Sequence, residues 1–284
     1  MKLNRFEDTD KFYDRVTEYL LQHESHHCLL LRIVSTLIRN PKAYNSQPYS
    51  VTVEAEGDIV AVAIRIPPSN LMVSKIGDLK ALDIIAGDLY KNGETIPGVR
   101  GLKVETESFA RQWQTLTGQS YELSMQFRTY QLDEVQPITK IPGYLRPANE
   151  SDCPLLINWL EAFQIETAGA TQQNIELAVE RYLGRKSLYF WQDEIPVSVV
   201  GGTKVSPNAA LIGPVYTAPE YRRKGYASAS VTAVSQILLD RGCRYCFLFT
   251  DLANPTSNHI YQAIGYQPVC DWDEYRFKTN SQPL

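Results

Sequence analysis

Apolar residues recur along this chain with two different periods, and the places where the period changes mark out its elements. Phe12, Val16, Tyr19 and Leu20 fall three or four apart and predict a helix over residues 8–22. A second helix is predicted over 26–39, with Ser25 as its N-cap and Asn40-Pro41 as its stop. Residues 49–53 and 59–66 read as strands joined through Glu56-Gly57-Asp58, a hairpin signal, and Pro67-Pro68 closes the pair. Helical runs follow at 78–91, ending at Asn92-Gly93, and at 106–116, ending at Gly118; residues 123–132 read as a long strand.

Pro137 and Pro142 then interrupt the chain around Ile138-Thr139-Lys140, and the pattern begins afresh. This places a domain boundary that divides the chain into residues 1–138 and 139–284. The second part reads as a short strand at 143–146, helices at 151–163 and 172–183, and a hairpin of 188–192 with 197–204 over Asp193-Glu194. A strand at 209–217, a helix at 226–239 and a strand at 247–250 come next. A short last helix has Asn254 as its N-cap, Pro255 in its first position and Gly265 as its stop. Both parts share one order: two helices, a hairpin, a further strand, a helix, a strand, a helix and a last strand. That repetition implies an internal duplication, in an α/β fold built on a mixed sheet.

Charge and cysteine content narrow the function classes. The 284 residues carry 28 basic and 32 acidic side chains, a formal net charge of −4, which does not favour nucleic acid as a partner. No apolar run approaches the roughly 20 residues that span a bilayer. The first residues hold no apolar signal core, so a cytoplasmic protein without a membrane partner is expected. Cys28, Cys153, Cys243, Cys246 and Cys270 are odd in number and lack the spacing of a disulfide framework. Cys243-x-x-Cys246 has no second pair, and His23, His26 and His27 read as polar residues at a helix start, so no metal site is expected.

Against this mildly acidic background, the stretch from Val215 to Ser228 stands out. A strand ends at Pro219, three consecutive cations follow (Arg222, Arg223 and Lys224), the loop closes on Gly225, and a helix begins at once. The first N–H groups of a helix have no internal partner and lie at the positive end of its dipole, so this is an anion seat. Gly225 allows the backbone to approach a bulky polyanion such as a diphosphate. About 30 residues on, Asn254, Ser257 and Tyr261 are spaced three and four apart and share one helical face, which offers an amide, a hydroxyl and a phenol to one elongated ligand.

These two constellations resemble the GNAT superfamily of acyl-CoA-dependent N-acetyltransferases. The family pattern Gln/Arg-x-x-Gly-x-Gly/Ala is matched by Arg222-Arg223-Lys224-Gly225-Tyr226-Ala227, and its later motif by Asn254, Tyr261 and Gly265-Tyr266. The resemblance is close over residues 188–277 and looser back to residue 141. It implies two GNAT-like domains in tandem, with the acetyl-CoA site intact in the second. Arg222, Arg223, Lys224, Gly225, Tyr226, Ala227 and Ser228 would hold the diphosphate; Val215, Tyr216 and Thr217 would present strand backbone to the pantetheine arm. A backbone N–H near Tyr216 would also serve the thioester carbonyl. Asn254 and Ser257 would bond further cofactor groups, Tyr261 would be the general acid, and Glu166 is a candidate general base.

The implied reaction is direct transfer of an acetyl group from acetyl-CoA to a small-molecule or protein amine. A non-catalytic acyl-CoA sensor would keep the loop but would not need Tyr261; transfer of a larger acyl group is a further alternative. In the first part, Val73 to Lys80 stands where the basic loop should be and lacks the Arg-x-x-Gly pattern, so that half reads as a degenerate copy or as an unrelated structural α/β domain. Its expected role is to cover the acceptor cleft or to form a homodimer. Gly225→Val is expected to abolish cofactor affinity with the fold largely intact.

Overall fold

The computed structural model describes residues 1–39, 46–168 and 174–278. The predicted helix stop at Asn40-Pro41 and the predicted helix start at residue 172 lie outside these described residues. The first half runs β1 (Lys2–Arg5), α1 (Thr9–Leu21), α2 (Glu24–Arg39), β2 (Tyr49–Ala55), β3 (Asp58–Arg65), β4 (Leu71–Val73), α3 (Lys80–Lys91), β5 (Gly98–Leu102), α4 (Lys103–Thr117) and β6 (Tyr121–Leu132). The second half runs β7 (Tyr144–Pro147), α5 (Cys153–Ala168), α6 (Ile175–Gly184), β8 (Leu188–Asp193), β9 (Ile195–Lys204), β10 (Ala209–Thr217), α7 (Tyr226–Asp240), β11 (Tyr245–Asp251), α8 (Pro255–Ile264) and β12 (Gln267–Phe277). The two halves repeat the same succession of elements, as the sequence pattern implies.

Most boundaries follow from local chemistry. The Asp8 carboxylate accepts from the amides of Asp10 and Lys11 and opens α1. Glu56 and Gly57 both have positive φ, 55° and 95°, which suits the tight turn between β2 and β3. Ser25 does not cap α2: the helix already starts at Glu24, and the Ser25 hydroxyl meets the neighbouring His26 ring instead. The short strands β4 and β5 have their places in the shared order but too few residues for the pattern to give them bounds, and β1 was not located.

The chain folds into two compact units that a single cut near residue 138 does not reproduce. One comprises Met1–Thr129, Thr250–Ala253 and the chain from Pro268 onward; the other comprises Tyr130–Phe249 and Asn254–Gln267. The reason is pairing: β12 runs antiparallel to β5, with Trp272 opposite Leu102 and Arg276 opposite Gly98. The last strand of the second half therefore completes the sheet of the first unit, in the order β1-β2-β3-β4-β5-β12. Conversely Tyr130 and Leu132, at the end of β6, belong to the core of the second unit.

In the first unit, α3 and α4 cover one face of the sheet through Leu82, Ile85, Phe109 and Trp113. The other face is covered by α1 and α2 through Phe12, Val16, Leu30 and Val34. Burial of each such side chain contributes roughly 1.5–3 kcal/mol before entropy is counted. The second unit orders its strands β11-β10-β9-β8-β7. Its α7 and α8 pack on one face with Val200, Ala210 and Ile212. Its α5 and α6 pack on the other with Phe190, Val199 and Tyr216.

The loop from β4 to α3 is sealed by the chain's own side chains. The Lys75 amide donates to His27 Nε2 at 3.1 Å and the Ile76 amide to Glu105 Oε1 at 3.3 Å. The Gly77 amide donates to the Val60 carbonyl, and Lys80 N to Asp78 Oδ1. Because Nε2 accepts, the His27 ring is neutral and its Nδ1–H donates to the Leu20 carbonyl at 2.9 Å. Burial pulls this imidazole down to about 4. The unfolded chain, with His near 6.5, therefore binds more protons than the folded one between these two values. His27 thus contributes stability that is complete above about pH 6.5 and lost as pH falls towards 4, on the order of 3 kcal/mol in all. Urea midpoints measured across this range should fall steeply for the parent and less steeply for His27→Gln.

Candidate active site

The second unit treats the corresponding loop in the opposite way. Gly225 caps α7 in the left-handed conformation, φ 85°, and no side chain caps the helix. The first amide with a partner is that of Ala229, which donates to the Gly225 carbonyl. Among the described residues, the amides of Arg223, Lys224, Gly225, Tyr226, Ala227 and Ser228 have no protein acceptor. They lie at the positive end of the α7 dipole, where negative charge is favoured.

Glycine is needed at 225 for two reasons. The φ value is one L side chains rarely adopt, and a Cβ there would lie 2.7 Å from Ile141 Cδ1. The φ value strains Gly225→Val, while Ile141 Cδ1, which a Cβ would meet in the packing beneath the loop, is the movable end of a side chain. That packing includes Trp191, Val197, Tyr226 and Ala229, with Ile138 and Ile141 against them. Asp193, expected to be a plain turn residue, accepts a short hydrogen bond from the Tyr226 hydroxyl and so anchors the first turn of α7 to the β8–β9 hairpin.

The three cations differ in their engagement. Arg222 turns inward: Nε donates to the Thr217 carbonyl at 2.9 Å, a terminal nitrogen meets both Glu166 oxygens at 2.7 and 2.9 Å, and the guanidinium lies 5.5 Å from the Tyr216 ring centre. Lys224 sits 5.6 Å from the Tyr221 ring centre. Arg223, with φ 63°, has no partner among the described residues. Glu166, expected as a candidate base, thus has its carboxylate occupied by Arg222.

Beside the loop, β10 parts from β11. The two strands pair in parallel only from Ala209–Leu211 against Tyr245–Phe247. A bulge between Ile212 and Val215 then redirects β10, which continues to Thr217 paired with β9. Gly201 on β9 accommodates the bulge, since a Cβ there would lie 2.4 Å from the Gly213 carbonyl oxygen. Val215, Tyr216 and Thr217 therefore line one side of a separation between strands. Val215 packs towards α7 and α8 and Tyr216 towards α5.

Helix α8 lies on the α7 side of this separation. Asn254 Oδ1 accepts the Ser257 amide at 3.1 Å, Pro255 occupies the first turn, and Gly265 ends the helix with φ 111°. Tyr261 is half-buried against the core of the second unit, and its ring lies 6.1 Å from that of Tyr266. Burial pushes its phenol up to about 12, so it carries a proton at neutral pH. One residue that the sequence did not single out holds this helix: buried Tyr130 donates to Asn258 Oδ1 at 3.1 Å and accepts from Gln262 Nε2 at 3.3 Å. Trp159 on α5, 5.9 Å from Tyr216 ring to ring, was also missed; nothing in its local sequence separates it from a core aromatic.

Cys243 and Cys246 are buried free thiols, and burial pushes Cys246 up to about 12. Among the described residues no group of three or more His, Cys, Asp or Glu side chains could hold a metal ion. No described helix is long and apolar enough to cross a membrane.

Comparison with known proteins agrees with this geometry. The profile of the Acetyltransferase (GNAT) family matches residues 153–266. An aminoglycoside N(6')-acetyltransferase type 1 from Serratia marcescens is 36% identical over 67 residues, spanning 24% of this chain and 45% of that protein. The chain thus aligns with about half the length of this curated relative. A GNAT-family acetyltransferase from Colwellia psychrerythraea superposes with a TM-score of 0.60 at 12% identity, covering 98% of this chain and 100% of that one. A tandem GNAT protein from the clavulanic acid biosynthesis pathway superposes with a TM-score of 0.57 at 12% identity, covering 99% of each chain. The fold is therefore that of two GNAT-like domains in tandem, and the profile of the GNAT acetyltransferase family matches the second of them over residues 153–266.

Proposed function

We propose that this protein transfers an acetyl group from acetyl-CoA to an amine, at a single site in its second unit. The observation that carries this reading is the row of unpartnered amides from Arg223 through Ser228, set beside the separation of β10 from β11. The amides and the unpaired Arg223 suit the diphosphate, the parted strands leave backbone for the amide-bearing pantetheine arm, and the thioester then lies near Tyr216 and Tyr261. The relative's aminoglycoside acceptor belongs to that protein.

In the reaction the amine lone pair forms a bond to the thioester carbonyl carbon, and the developing oxyanion takes the backbone N–H near Tyr216. A donor of this kind contributes about 3 kcal/mol to barrier lowering. The carbon–sulfur bond breaks with its electron pair going to sulfur, and the protonated Tyr261 phenol supplies the proton that makes the free thiol. The amine's surplus proton leaves to water, and the Tyr261 phenolate regains a proton from water before the next turnover. We assign Glu166 to holding Arg222 rather than to taking that proton, because both its oxygens face the guanidinium. The sensor alternative gives no use to a half-buried phenol beside the sulfur.

Titration calorimetry should find one acetyl-CoA per chain, since the amides of Lys75, Ile76, Gly77 and Lys80 in the β4–α3 loop are already taken. Gly225→Ala should lower that affinity at least tenfold and cost about 1 kcal/mol of stability; unchanged affinity would remove the loop from the site. Tyr261→Phe should bind acetyl-CoA within about twofold of the parent while kcat falls roughly 100-fold or more. Glu166→Gln should alter acetyl-CoA affinity more than the pH dependence of kcat; loss of the acidic limb of that profile would instead make Glu166 the base.

A further inference from the structure

We propose that the connector between the two halves, residues 130–142, is a positioning element of the acetyl-CoA site: it ties the helix that carries Tyr261 to the loop that opens α7. The proposal rests on the acetyl-transfer reading above. These residues belong to the second unit, as α7 and α8 do, and they precede the stretch that the GNAT profile matches. A segment that only joins two bodies is polar and makes few contacts with either. Beyond the end of β6 this one has no helix or strand, yet it is docked. Val135, Ile138 and Ile141, spaced three apart, are part-buried, while the residues between them are exposed.

One end of the connector holds α8. The Tyr130 hydroxyl bonds Asn258 at 3.1 Å and Gln262 at 3.3 Å, two side chains that bracket Tyr261 in the helix. The Gln136 amide donates to the Ile264 carbonyl at 2.8 Å and so fills an acceptor that the last turn of α8 leaves open. A Cβ at Gly265 would lie 2.9 Å from Gln136 Cγ and 3.0 Å from the Glu134 carbonyl oxygen, so the stop of α8 rests directly on the connector. Leu132 shares a core with Ile264 and Tyr266, and Tyr261 packs against that core.

The other end lies under the diphosphate loop. Ile138 packs against both that core and the group formed by Trp191, Val197, Tyr226 and Ala229. Ile141 packs against the second group, and its Cδ1 stands 2.7 Å from where a Cβ on Gly225 would be. The Pro142 carbonyl accepts from Trp191 Nε1 at 2.8 Å, which fastens this end to β8. A displacement of about 1 Å between a reacting group and its partner can cost roughly 100-fold in rate. A connector docked on both helices fixes the spacing between the open amides and the Tyr261 phenol. Its two ends serve different steps: Ile141 supports the amides and acts on cofactor affinity, and Tyr130 orients α8 and acts on proton transfer to sulfur.

The test uses the full chain, calorimetry for binding, and release of thiol to water or to added butylamine for rate. S-acetylpantetheine, which has the thioester and the arm but no diphosphate, serves as a second donor. Ile141→Ala should raise the acetyl-CoA Kd about fivefold or more while kcat stays within about twofold, and should leave kcat/KM for S-acetylpantetheine within about twofold of the parent. Trp191→Phe, which removes the donor to the Pro142 carbonyl, should raise the same Kd severalfold and covers the case in which Ile141→Ala does not fold. Tyr130→Phe should lower kcat about fivefold or more with both donors, at an acetyl-CoA Kd within about twofold of the parent. An unchanged Kd in Ile141→Ala and Trp191→Phe, an equal loss with the two donors in Ile141→Ala, or an unchanged kcat in Tyr130→Phe would overturn the proposal and leave the acetyl-transfer reading standing. Failure of the parent to bind acetyl-CoA at all would overturn both.

Discussion

A helix that enters from a loop leaves its first amides without carbonyls, and each of these donors must find an acceptor or face solvent. The two halves of this chain meet that constraint in opposite ways at equivalent places. After β4, His27, Glu105, Asp78 and the Val60 carbonyl take the donors, so the loop is finished from within. After β10, the amides from Arg223 through Ser228 are left open, and no side chain takes them. The division of labour between the halves follows from where acceptors are supplied more than from any difference in fold.

The strands repeat the contrast. β4 stops at Val73 after three residues, while β10 runs for nine and is bent by its bulge away from β11. An open row of amides would bind an anion weakly without a place for the rest of the ligand; the parted strands supply one. Tyr130 and Asp193 then fix the two helices beside the opening, α8 through Asn258 and Gln262 and α7 through Tyr226. Neither residue touches a diphosphate or a thioester in this reading; both determine how rigidly the groups that do so are held.

Much of this was legible in the residues themselves. The Arg-x-x-Gly run, the Asn254-Pro255 helix start and the Gly265 stop are short-range signals, because a left-handed cap or an N-cap depends on a few neighbouring atoms. The α7 and α8 helices, β10 and the doubled order of elements were readable for that reason. What was not readable depends on residues far apart in sequence. His27 reads as a polar residue at a helix start and proves to be a buried acceptor for an amide 48 residues away. Glu166 reads as a free carboxylate and is paired with a guanidinium 56 residues away. Pro137 and Pro142 suggest a clean cut, yet β12 crosses back to pair with β5.

That return of the last strand bears on how the molecule is made. Arg100 and Glu274, ion-paired across β5 and β12, are 174 residues apart in sequence. Contacts of such long range slow folding, and a chain emerging from the ribosome exposes its first half before the partner strand exists. Until β12 has been made, β5 presents an uncovered edge beside which another chain's strand could lodge. Synthesis of β12 is thus a condition for completing the sheet that the first strands begin.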